Sequence, residues 1–167
     1  MGSRAEDGSH PERRIRLGRY AATFWVLALL FFLRVLGQVL VAFFDVTFLP
    51  PMAEWYSGLL PYPILLPVQI LILMVQAKIG TDFSREYGFF VIPRRAMGRF
   101  LRWFSYLYFA SMVLRYVISM GLYPERRWFG GTIPIFFHWV LAAYLFVLGH
   151  YHTRRDSHEG PVDESND

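Results

Sequence analysis

Four apolar blocks, at 20–44, 59–79, 100–123 and 132–151, each have the length a helix needs to cross a bilayer, and this constrains the fold more than any other feature. A helix rises about 1.5 Å per residue, so roughly 20 residues cover ~30 Å of hydrocarbon. Inside that hydrocarbon every backbone N–H and C=O must find its partner within the protein, and helices do this without leaving their own segment. The pattern predicts an all-α integral membrane protein, a bundle of four transmembrane helices.

Composition agrees. The chain is 54% hydrophobic and 19% aromatic, against roughly 45–50% apolar for a soluble domain. The 18% of residues that are charged are segregated, nearly all of them outside the four blocks. A net charge of +4 on such a chain points to a membrane surface and not to nucleic acid. With no cysteine, disulfides and thiolate metal sites are excluded. Lys78 is the single lysine among seventeen basic residues, a bias typical of GC-rich bacterial genomes, so the expected location is a bacterial cytoplasmic membrane.

The blocks divide the chain into a basic tail at 1–18, a transmembrane domain at 19–152 and a polar tail at 153–167. Both tails are rich in Gly, Pro, Ser and charge, which predicts disorder. The first block, 25 residues long, is too long for a signal-peptide core and reads as a retained signal anchor. Pro67 is expected to bend the second helix, and Thr132 with Pro134 marks the start of the fourth. Orientation follows from the basic residues. Thirteen Lys and Arg lie before the first block, around the loop 80–98 and after the last block, whereas the other side has only Arg126 and Arg127. The positive-inside rule then puts both termini in the cytoplasm.

The two loops expected to face outward differ. The segment 45–59 (DVTFLPPMAEWYSGL) is too apolar for free solvation and carries Trp55 and Tyr56, residue types that settle at headgroup level; it is expected to cap the bundle. On the opposite side, GFFVIP between Arg85 and Arg94 suits the membrane surface.

Against this background the polar residues inside the blocks stand out. Arg34 and Arg115 lie ten and eight residues before the ends of their blocks, about 15 and 12 Å deep on a helical rise. An Arg at mid-membrane costs about 2.5–3.5 kcal/mol on insertion scales. Gln69 and His138, on the returning blocks, fall at comparable depth, and Gln38 follows Arg34 by one turn. Polar residues belong on the bundle interior, because lipid offers them no partner. Arg34, Gln38, Gln69, Arg115 and His138 are therefore expected to face one another in the outward half. Tyr108, Ser111, Arg115 and Ser119 form one stripe of the third block, and Gln69 and Gln76 one face of the second.

Two uses fit this set. As glue, the guanidiniums would pair with Asp45, Glu54 or Glu125, and the chain would be a non-enzymatic accessory or scaffold subunit of a membrane complex. As a ligand site, the same donors would bind an anionic lipid, a lipid-linked phosphate or a quinone through bidentate Arg contacts. A third reading, a haem or electron-transfer subunit, needs ligands supplied by another protein, since His138 and His150 lie about 18 Å apart along one helix. His150 and His152 read as interfacial. Ser105, Ser111 and Ser119 are expected to bond back to their own helix. There is no P-loop, G-x-S-x-G or H-E-x-x-H, so no catalytic residue, metal or cofactor is assigned. The expected partners are membrane lipids and other membrane subunits.

Overall fold

Each apolar block is a helix, and two of the helices begin well before their block. A computed structural model describes residues 9–44, 46–51, 55, 61–122 and 132–154. It contains α1 (Ser9–Phe44), α2 (Tyr62–Ser84), α3 (Arg95–Leu122) and α4 (Thr132–Arg154), and no strand among the described residues. Three helical stretches, Glu12–Phe44, Tyr62–Ser84 and Pro134–Arg154, are long and apolar enough to cross a membrane. The expected third span falls within α3, which is not one of them. Arg95, Arg99, Arg102 and Arg115 lower its apolarity.

Residues 9–18 were expected to belong to an irregular tail and are instead the first turns of α1. The signal lies in the sequence: Ser9 followed three residues on by Glu12, with Pro11 between, is a helix-start pattern. At the start of α2 the Pro61 carbonyl accepts from the N–H of Ile64 and of Leu65, both at 3.0 Å, and a proline occupies the first turn.

Helix α2 also runs past its apolar block. Thr81 Oγ1 donates to the Ala77 carbonyl (2.7 Å), Ser84 Oγ donates to that of Gly80 (2.8 Å), and Lys78 pairs with Asp82 one turn on. These local bonds hold the helix where apolar periodicity has ended. It closes with the Glu86 N–H on the Phe83 carbonyl and the Tyr87 N–H on that of Asp82, a double C-terminal cap with Glu86 at φ 57°.

Leu17, Ala21, Phe24, Ala28, Phe31, Val35 and Gln38 of α1 are buried at alternating steps of four and three, with Arg34 and Gly37 buried beside them. That 3.5-residue period is a single seam, along which small and large side chains alternate. Helix α1 packs on α2 and α4, and α4 packs on α3; α2 and α3 share no extensive interface among the described residues. The helices thus run in the order α2, α1, α4, α3 and do not form a closed ring.

Toward the 85–94 loop the interior is mainly aromatic, with Asp82 and His152 also buried there. Phe24 lies 4.8 Å from Phe83 and 5.0 Å from Tyr144, and Phe83 lies 4.6 Å from Tyr151, between ring centroids. The two tyrosine hydroxyls donate to the carbonyls of Gln76 (3.0 Å) and Val91 (2.8 Å), so this core buries no orphan hydroxyl. Toward the opposite end Arg34, Gln38 and Gln69 are buried among Phe31, Val35 and Ile135. Much of the outer surface is apolar, with Val26, Leu29, Leu33, Leu71, Met74, Trp103, Leu114 and Val117 all exposed.

Four glycines permit close approach. Gly80 receives the Trp25 ring, whose Nε1–H donates to Ser84 Oγ at 3.0 Å. At Gly37 a Cβ would stand 2.7 Å from the Trp55 indole, which is 7% exposed and donates to the Pro50 carbonyl at 2.8 Å. Trp55 is thus seated on α1, one residue from Gln38, and is not at the surface as its residue type suggested. Of the expected cap this contact is what the described residues include; Tyr56 lies outside them. Gly98 meets Gly149 where α3 crosses α4.

Candidate functional site

The polar end of the interior is built from all four helices. On α1, Arg34 (6% exposed) and Gln38 (0%) lie one turn apart on the buried seam. On α2, Gln69 (2%) faces them and donates from Nε2 to Gln38 Oε1 at 2.9 Å. Gln76 is buried two turns on, as their shared face requires.

Helices α3 and α4 complete the group. The Arg34 guanidinium carbon lies 5.6 Å from the centre of the Phe137 ring, and Tyr108 is within its electrostatic reach. The Tyr108 and His138 rings are 5.9 Å apart. Both Arg34 and Arg115 act electrostatically on His138. His138 Nδ1 bonds to the Pro134 carbonyl, so Nδ1 carries the proton in the neutral ring and Nε2 is left as an acceptor.

All five sequence-derived residues are found here, as two linked subsets. Gln38 and Gln69 form an amide pair between α1 and α2. Arg34 on α1 packs over Phe137 of α4, beside the Tyr108–His138 ring pair of α3 and α4, and Arg115 lies within electrostatic reach of His138. Tyr108 belongs with them and was not singled out, because a search guided by formal charge passes over a phenol. Its place in the stripe with Arg115 was the available signal. Ser111 leaves that stripe: it is exposed, and its hydroxyl donates to the Tyr108 carbonyl at 2.8 Å. Ser105 likewise donates to the Arg102 carbonyl, at 2.7 Å.

The histidines at the far end of α4 divide. His150 stacks on Phe146, 5.8 Å between centroids. His152, expected at an interface, is 0% exposed, and neither ring nitrogen has a hydrogen-bond partner among the described residues. The Gly98–Gly149 crossing brings α3 over it, with the Gly98 Cβ position 2.9 Å from His152 Cβ.

Arg34 Nε, Gln38 Nε2 and Gln69 Oε1 are buried without a hydrogen-bond partner among the described residues, as are both amide atoms of Gln76, Tyr62 Oη and Trp139 Nε1. An amide bond between membrane helices contributes about 0.6 kcal/mol on average. Each orphaned buried polar group costs about 1–3 kcal/mol. The amide pair alone therefore does not offset what it leaves unpaired. Gln69→Leu is expected to lower stability by about 1–2 kcal/mol by stranding Gln38, while the Gln38→Leu/Gln69→Leu pair returns close to the parent. A double-mutant cycle on thermal unfolding in detergent checks this, and additive losses would contradict it.

No protein family, characterised protein or solved structure is detectably similar to this chain. The chemistry of the site stands on its geometry. The acids that would serve as glue, Asp45, Glu54 and Glu125, lie outside the described residues.

Proposed function

We propose that this chain is a non-enzymatic integral membrane protein, with all four helices crossing the bilayer and both termini cytoplasmic, that holds the anionic head of an amphiphile in its outward half. One observation carries the proposal: the Arg34 guanidinium is buried, its Nε has no partner, and among the described residues no carboxylate is recorded acting on it. The ring of Phe137 offsets about 1–2 kcal/mol of the roughly 2.5–3.5 kcal/mol that such a charge costs. An anion accounts for the balance, and Arg115 adds a second positive charge nearby. An intramembrane cation with no counterion among the described residues is a binding-site hypothesis by default.

Supporting the membrane reading, large hydrophobic side chains cover much of the exterior while the amides of Gln38 and Gln69 are buried. Helix α3 shares the apolar exterior through Trp103, Leu107, Leu114 and Val117, which is why it is counted as a fourth span. Single cysteines at 2 and 157 should label only from the cytoplasmic side; labelling from outside would overturn the orientation.

Mass spectrometry of protein extracted in mild detergent tests the site. The parent should retain an anionic lipid that Arg34→Leu loses while still inserting. Equal lipid content in the two would remove the proposal.

A further inference from the structure

We infer that the head held at this site carries a hydroxyl group beside its anionic oxygens, as a phosphoglycerol head does. This rests on the anion-binding reading above and names the ligand class.

A primary amide offers an NH2 and a carbonyl. The single bond from Gln69 Nε2 to Gln38 Oε1 uses one of each and leaves the NH2 of Gln38 and the carbonyl of Gln69 buried and unpaired among the described residues. Turning both amides over leaves the same remainder, one donor and one acceptor, with the two residues exchanged. Arg34 Nε, one turn from Gln38, adds a second unpaired donor and the charge. The occupant must therefore accept from two donors, be negative, and donate one hydrogen bond.

Few membrane head groups meet all three conditions. A quinone only accepts, which strands the amide carbonyl. A quinol donates but is neutral, and so is water, which leaves the guanidinium without a counter-charge. Choline has no donor. Ethanolamine donates from a cation that Arg34 and Arg115 would repel. An anionic phosphodiester with a free hydroxyl satisfies the three atoms of Arg34, Gln38 and Gln69.

Two synthetic lipids isolate the hydroxyl. Phosphatidylglycerol and phosphatidylmethanol carry the same single negative charge on a phosphodiester, and only the first has hydroxyls. Delipidated full-length protein, incubated with mixed vesicles of these two and phosphatidylcholine and read by native mass spectrometry, should retain phosphatidylglycerol about tenfold over phosphatidylmethanol. That is the ratio one hydrogen bond to a buried, otherwise unpaired acceptor gives. Phosphatidylcholine should not be retained. Gln69→Leu should bring the two anionic lipids level, and Arg34→Leu should lose both.

Equal retention of the two anionic lipids by the parent would overturn the hydroxyl inference and leave the anion site standing. Retention of neither would remove the anion site itself. A preference that survives Gln69→Leu unchanged would mean that this amide is not the acceptor, and would overturn the inference too. Displacement of bound lipid by sn-glycerol 3-phosphate at matched concentration would assign the site to a soluble ester and not to a lipid. The parent comparison decides the main point even where a variant fails to fold.

Discussion

Gly149→Leu is expected to separate α3 from α4 and to leave little monodisperse protein after extraction. The reason is backbone contact. A Cβ at Gly149 would stand 2.8 Å from the backbone nitrogen of Arg102 and 3.0 Å from the Gly98 carbonyl oxygen, and neither atom moves by a rotamer change. Relief requires shifting one helix against the other, in an interface where packing is the main attraction, since lipid tails are as apolar as the side chains they would replace. Overpacking of this kind costs typically 1–3 kcal/mol and occasionally more. Gly149→Ala should already lower the midpoint of thermal unfolding. Gly80→Ala, whose nearest neighbour is the movable Trp25 ring at 3.0 Å, should do so less. Size-exclusion profiles and thermal melts in one detergent test the ranking. Gly149→Leu protein as stable as the parent would show that the crossing at Gly98 is not a tight seat.

Those glycines also mark where reading the sequence stops. Apolar length gave the four helices and their order, because the cost of unpaired backbone in hydrocarbon depends only on local sequence. The set Arg34, Gln38, Gln69, Arg115 and His138 was legible for a similar reason: depth and helical face follow from counting residues. Helix ends were less legible. Helix α2 extends to Ser84 through the Lys78–Asp82 pair and two hydroxyl bonds to its own backbone, which to a count of apolar residues look like a polar loop. The burial of His152 was invisible, since it depends on α3 crossing at Gly98, more than fifty residues earlier in the chain. The seating of Trp55 on Gly37 is another pairing that neither residue announces alone.

Replacing Arg34 by leucine should have opposite effects on stability depending on what is bound. In delipidated detergent-solubilised protein the substitution removes a buried charge that has no carboxylate partner among the described residues, together with an orphaned Nε–H, and puts an apolar side chain on an apolar seam. Breaking a satisfied buried pair destabilises by about 3–5 kcal/mol, whereas removing an unpaired buried charge relieves its desolvation. The Leu variant should therefore unfold at a higher temperature than the parent when lipid is absent. Added anionic lipid should raise the parent's midpoint with concentration and leave the variant's unchanged, since a ligand stabilises only the state that binds it. If Arg34 is instead structural glue, tied to an acid of the chain, the variant is the less stable protein with or without lipid. The sign of the shift in the lipid-free pair distinguishes the two roles before any ligand is identified. Arg34→Lys sharpens the test: it keeps the charge while losing the planar fork, so lipid stabilisation should weaken but persist.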